Sequence, residues 1–313
     1  MSRAVAILER LPAWATTGVG SLPHDDPAQA AAHCLAAYEL PFCPQLPRIE
    51  GDMVREWLGA DPARCGWSRE RDRERPRAWD ALLAQLDAAP PAHRLVKLQV
   101  TGPATLACAL ERAGGAAARG ASGATGGAPR TPSLALAREL SAWLAANVAG
   151  QVRELAARDL DTLLVVDEPA LPQFGGAAEE VAAVWDPLRV VAPVWGLHLC
   201  CAVPWETVAA ACPDLISFDL ALGPLDVRGA DELGALLARG GRVAWGVLAA
   251  HRAEHAADAT RRLRAALAQV GGEEAGRRSL LSASCGSGCV TVAREAEVAL
   301  ALLDTARALA SPV

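Results

Sequence analysis

Eight short apolar runs recur along the chain, nearly every one followed by a stretch with helical patterning, and this alternation limits the possible folds more than any other feature. The runs lie at 16–21, 41–46, 94–100, 162–168, 194–200, 215–220, 242–248 and 280–286. Runs of this length bounded by Gly, Pro or acidic residues read as strands, and strands alternating with helices build a parallel sheet covered by helices. With 313 residues and no domain-sized shift in composition, eight such units predict a closed α/β (β/α)8 TIM barrel, a single domain over 1–313, rather than a doubly wound sheet.

The segments between the runs fill in this plan. Asp25 and Asp26 can cap a helix over 27–38 with Pro27 in its first turn. Pro41 and Pro44 make the second run a short or irregular strand. The stretch 52–89 is helical in pattern but broken at Pro62 and Pro76, and its charge cluster at 69–77 reads as a solvated helix face. A long helix is expected over 133–158, with further ones near 177–190, 204–211, 229–239, 254–270 and 291–310. Between 114 and 132 the chain is almost only Gly, Ala, Ser, Thr and Pro with two arginines. That composition lacks the large apolar side chains that pack, so 114–132 is expected to be a flexible Gly/Ala-rich loop, either a lid or simple disorder.

Composition excludes several functions. A net charge of −6, with both signs mixed along the chain, argues against nucleic acid as a partner, because phosphate binding needs a basic face. No apolar run approaches the ~18 residues that span a bilayer, so no membrane partner is expected. Residues 1–10 lack the basic start and small-residue cleavage site of a signal peptide, which predicts a cytoplasmic protein. Nine cysteines in that reducing compartment are candidate metal ligands or buried small side chains rather than a disulfide framework.

In a barrel of this kind the active site is built at the C-terminal ends of the strands. Those ends carry Gly20 and Ser21, Gln99 and Thr101, Asp167 and Glu168, His198 and Cys200, Asp219, His251 just beyond the seventh run, and Cys285. His198 and Cys200 are two apart in a strand, so their side chains share a face. Taken alone, such a pair is more often a core cysteine beside a hydrogen-bonded histidine. With Cys285 and Asp219 at other strand ends, the set offers one nitrogen, two sulfurs and a carboxylate, which suits a tetrahedral Zn2+ with one exchangeable position. Zinc bound to a thiol substrate would leave it as a thiolate at neutral pH, the species that attacks a methyl group. Lys97, Gln99 and Thr101 also share a strand face, and polar groups there point into a barrel interior or a site.

Several stretches carry a family resemblance: Thr17-Gly18-Val19-Gly20-Ser21-Leu22-Pro23, Asp52-Met53-Val54, Val96-Lys97 with Thr101-Gly102-Pro103-Ala104-Thr105-Leu106, Val166-Asp167-Glu168-Pro169-Ala170-Leu171, His198-Leu199-Cys200, Leu215-Ile216-Ser217-Phe218-Asp219, Gly246-Val247 leading to His251, and Cys285-Gly286. In this order, and over nearly the whole chain, the sequence resembles the catalytic C-terminal barrel of cobalamin-independent methionine synthase in a short core form. That barrel belongs to a superfamily with uroporphyrinogen decarboxylase and the zinc-dependent corrinoid methyltransferases. The resemblance implies a zinc-dependent methyltransferase that converts homocysteine to methionine. It implies His198, Cys200 and Cys285 as zinc ligands, with Asp219 where the family carries a glutamate. Asp167 would hold the substrate amino group, and the backbone amides of Gly20 and Ser21 its carboxylate. Glu50 lies beside the place of a second substrate-binding acid, and His251 matches a histidine of proton transfer, although in this sequence it reads equally as a surface histidine.

The chain is too short for the family's N-terminal half, which serves binding of a polyglutamated folate, and Ala107-Cys108 replace an aromatic-containing segment. A methylated corrinoid protein docking at the barrel mouth is therefore an expected donor, with folate as the other. The alternatives are methyl transfer between a corrinoid protein and a different thiol, a metal-free decarboxylase of the tetrapyrrole type, and a zinc or amino-acid binding protein without turnover.

Overall fold

The computed structural model describes residues 1–59, 75–122, 132–223, 225–252, 254 and 256–310, with backbone only at 114–122 and 273. Seven strands, β1 (Ala15–Thr16), β2 (Leu95–Thr101), β3 (Asp161–Asp167), β4 (Val194–Leu199), β5 (Leu215–Asp219), β6 (Arg242–Leu248) and β7 (Ser279–Ala283), form one sheet. The order is β1-β7-β6-β5-β4-β3-β2, and every pair is parallel. Helices join the strands, as parallel pairing requires, because its crossovers must return the chain to the starting edge.

Where an eighth strand is expected, at 41–46, the chain makes only isolated bridges, Ser21 with Gln45 and Phe42 with Lys97. The sheet is thus a curled seven-stranded one of barrel-like type rather than eight-stranded. Pro41 and Pro44 explain the difference, since neither has an N–H to give to a ladder. The same segment still bonds to both edges of the sheet. Leu40 N donates to Thr16 O at 3.0 Å and Gln45 N to Gly20 O at 3.0 Å, while Cys43 N donates to Lys97 O at 3.0 Å.

Strand alternation divides the core in two. On the concave side, at the N-terminal ends of the strands, Leu95, Leu163, Val194, Leu215 and Leu280 pack with Ile7, Leu8 and Leu11. The N-terminal helix Arg3–Leu8 therefore covers that end, and Arg242 holds it by donating to the carbonyls of Leu8 (2.7 Å) and Leu11 (3.2 Å). The convex side packs against the outer helices through a larger cluster that includes Trp79, Trp185 and Trp245. Toward the C-terminal ends the concave side becomes polar: Thr101 pairs in register with Asp167, Asp167 with His198, and His198 with Ser217.

Most expected helices form. Asp26 caps Pro27–Ala37 and Ser133 caps Leu134–Ala156. The stretch 177–190 is instead split into Ala178–Ala182, a 3-10 turn Ala183–Trp185 and Asp186–Arg189. The flexible loop expected over 114–132 is corrected in its first part, because the helix Pro103–Ser122 runs through 114–122. Alanines and Arg119 favour helix enough to carry three glycines, each costing ~1 kcal/mol. Residues 123–131, and most of the charge cluster at 69–77, lie outside the described residues.

Candidate active site

Asp167 and Glu168 close β3, and the two-residue period of a strand sends them to opposite sides. Glu168 is fully buried on the convex side. Its carboxylate accepts from Ala104 N (3.0 Å), Thr105 N (2.8 Å), Thr105 Oγ1 (2.7 Å) and Trp185 Nε1 (3.0 Å). It therefore binds the first turn of the helix Pro103–Ser122, a structural role. Asp167 faces the concave side, where it is 5% exposed and its Oδ1 is buried without a hydrogen-bond partner. Burial pushes its carboxyl well above the usual range, and the nearby Lys97 ammonium pulls it back.

Lys97 and Gln99 reach the same region from β2. Lys97 Nζ donates to Val19 O at 2.5 Å, which ties the glycine turn to the sheet. Burial lowers this ammonium to about 8, against the raising effect of Asp167. Gln99 donates from Nε2 to Cys43 O, and its Oε1 is a second buried oxygen without a partner. Gly20 is pressed between two amides: a Cβ there would lie 2.7 Å from both Gln45 Oε1 and Gln99 Nε2, so any larger residue must displace those side chains. Gln45 in turn donates to Glu56 Oε2 at 2.7 Å. Ser21 joins this turn to the loop after β7, its carbonyl accepting from Ser287 N and Ser287 Oγ, both at 3.0 Å.

His198 lies at the C-terminal end of β4, 3% exposed. Its Nδ1 is hydrogen-bonded to Ser217 Oγ at 2.9 Å, and its Nε2 is buried without a partner. Burial, helped by Lys97, holds the ring down to about 3, so it is neutral with one nitrogen free, the state in which a histidine binds metal. Cys200 and Cys285, far apart in sequence, are neighbours here. The Cys200 thiol donates to the Cys285 sulfur, which lowers Cys285 to about 6 and raises Cys200.

The other expected residues make contacts of their own. Asp219 is near enough for its charge to act on Cys285, but its Oδ1 accepts from Ala221 N at 2.7 Å and caps the turn Leu220–Leu222. The Glu50 carboxylate accepts from Leu46 N (3.1 Å), at the start of its own turn, and from the distant Arg77 N (2.9 Å). His251 is exposed in the turn after β6. Glu56, Gln45 and Ser217 belong to the site without having been singled out. Ser217 was open to discovery, being two residues before Asp219 on the same strand face, whereas Glu56 sits in a short helix whose orientation no local pattern reveals.

Among the described residues, no group of three His, Cys, Asp or Glu side chains is arranged to hold a metal ion. The donors nonetheless fit a borderline-soft cation in their chemistry: a neutral imidazole with a free Nε2, and two adjoining sulfurs of which one ionises readily.

Neither a family model nor a curated protein matches the chain. Among solved structures it is similar to a B12-independent methionine synthase from Shewanella sp. W3-18-1, in complex with selenomethionine, at a TM-score of 0.60 and 15% identity over 95% of this chain and 98% of that one. A mannanase from Bacillus subtilis, 13% identical over 91% of this chain and 87% of its own, superposes at 0.39, too loosely to carry weight. At such identities the likeness is one of architecture, and the chain has, over nearly its whole length, the barrel-like α/β fold of that methionine synthase structure.

Proposed function

We propose that this protein is a zinc-dependent methyltransferase acting on the thiol of an amino acid, converting homocysteine to methionine. The observation that carries this reading is the meeting, at one end of the sheet, of three buried and unpartnered polar atoms (Gln99 Oε1, Asp167 Oδ1 and His198 Nε2) with the Cys200–Cys285 pair. Buried polar atoms are normally satisfied, so a group of orphans on one face marks where a ligand completes them. The similar fold of a methionine synthase that binds selenomethionine supports an amino-acid ligand.

In this reading His198, Cys200 and Cys285 hold Zn2+, with Asp219 as the candidate fourth ligand. A bound zinc supplies the Lewis acidity that keeps a substrate thiol ionised at neutral pH. Ser217 fixes the His198 ring so that Nε2 is presented. Asp167 receives the substrate ammonium, and that cation would join Lys97 in opposing the burial that pushes the carboxyl upward. The turn at Gly20 and Ser21, locked by Lys97 and Ser287, offers backbone amides to the substrate carboxylate. Glu50, whose carboxylate also accepts from Leu46 N and Arg77 N, and the exposed His251 stay candidates for a second substrate-binding acid and for proton transfer.

Elemental analysis of the purified protein and of Cys285→Ser tests the metal. About one zinc per chain, lost in the variant, is expected, and an equal metal content in both overturns the assignment. Methionine formation from homocysteine is then measured with a methylcorrinoid and with a methylfolate, which separates the two donors. Zinc bound without transfer from either donor would leave a binding protein rather than an enzyme.

A further inference from the structure

Gln99 takes no part in the ligand set above, yet its surroundings define one task. It projects from β2 onto the concave side, 7% exposed, between Lys97 and Thr101 on the same strand face. An amide has a donating and an accepting end, and which way it points is set by its hydrogen bonds. Here Nε2 donates to Cys43 O, so the accepting end is the free one, and Oε1 is buried without a partner.

Two further features give the missing partner its chemistry. On the adjacent strand and the same face, Asp167 Oδ1 is a second orphan oxygen, and a group that donates to both would satisfy the pair. The charges acting on Asp167 are one cation, Lys97, against Glu56, Glu168 and Cys285. Negative charge is thus in excess, and a cation is favoured over a neutral donor. A primary ammonium has three donors and one positive charge. The turn that would hold a carboxylate lies against Gln99, since a Cβ on Gly20 would fall 2.8 Å from Gln99 Cδ. Ammonium and carboxylate sites would therefore adjoin, as the two groups of an α-amino acid require.

We propose that Gln99 Oε1 is a second acceptor for the α-ammonium of the substrate, beside Asp167, and that Gln99 makes the site selective for amino acids over their des-amino analogues. This rests on the amino-acid reading above and adds to it a specificity-determining residue.

The test is calorimetric binding of L-methionine and of 4-(methylthio)butanoate, which lacks only the amino group, to the wild-type protein and to Gln99→Met. Wild type is expected to prefer methionine. The nearly isosteric variant loses the acceptor, and methionine binding weakens by about 10- to 100-fold, while the des-amino acid binds within about twofold of wild type. Unchanged methionine affinity, or equal weakening of both ligands, overturns the role of Gln99. Wild type that binds neither ligand, or both alike, instead removes the amino-acid reading and the inference with it. Should the variant not fold, a crystal structure of wild type with L-methionine decides: a ligand nitrogen within ~3.2 Å of Gln99 Oε1 supports the contact, and one beyond ~4 Å excludes it.

Discussion

Cys200 and Cys285 show how one hydrogen bond differentiates two identical side chains. The thiolate is the reactive form, and with its sulfur accepting from Cys200 the Cys285 thiol ionises at about 6. Burial has the opposite effect on Cys34, pushed up to about 12, and on Cys201, pushed up to about 11. In metal-stripped protein, iodoacetamide labelling followed by mass spectrometry is expected to modify Cys285 first. Its rate should rise with pH through a midpoint near 6 and level off above it as the thiolate fraction approaches completion. Replacing Cys200 with Ala removes the donor and should move the midpoint up toward the ordinary ~8.5. A midpoint that stays near 6 in the variant would show that another group is responsible. At this scale the residue types were legible in the sequence, since His198 and Cys200 are two apart on a strand. The adjacency of Cys200 to Cys285 was not, because it depends on how β4 and the loop after β7 meet.

Among the elements, the junction of β3 with the helix Pro103–Ser122 has the most demanding local geometry. Glu168 accepts four hydrogen bonds there, and Gly102 leaves room for it: a Cβ at position 102 would lie 2.0 Å from Glu168 Cδ. Gly102→Ala is therefore expected to displace the carboxylate and leave Trp185 Nε1 and two backbone N–H groups without their acceptor. The cost should be about 2–4 kcal/mol in urea unfolding, and a loss below ~0.5 kcal/mol would mean that the junction relaxes freely. In sequence the stretch Thr101-Gly102-Pro103 marks the close of the strand. That Glu168 rather than Asp167 serves the helix follows from strand alternation once the strand's inner side is known. The helix through 114–122 was hidden by its glycine and alanine content, since composition measures the lack of apolar side chains and not the hydrogen bonding available to the backbone.

Over the whole molecule, stability and chemistry are divided between the two ends of the sheet. The N-terminal ends are closed by Ile7, Leu8 and Leu11 packed on Leu163, Leu215 and Leu280, and the polar cluster lies at the C-terminal ends. Leu8 is completely buried, so Leu8→Ala should lower stability by about 3 kcal/mol through lost transfer energy and the cavity left behind. Zinc content and methionine affinity at 25 °C should match wild type, as the polar cluster lies at the opposite ends of the strands from the plug. A Leu8→Ala protein with altered metal content would show the two ends to be coupled. Among the described residues no helix is long and apolar enough to cross a membrane.

By itself the sequence determined the alternating α/β plan, the positions of nearly all strands and the polar character of their C-terminal ends, because these follow from two-residue and 3.6-residue periods and from local caps. It even contained the reason for the missing strand, in Pro41 and Pro44. Only the tertiary structure decided that the segment at 40–45 bonds to both sheet edges, that Glu50 caps its own turn while Glu56 acts on Asp167, and that Gln99 points its free oxygen inward. Each of these depends on which distant backbone or side chain is nearby, and no period along the chain encodes that.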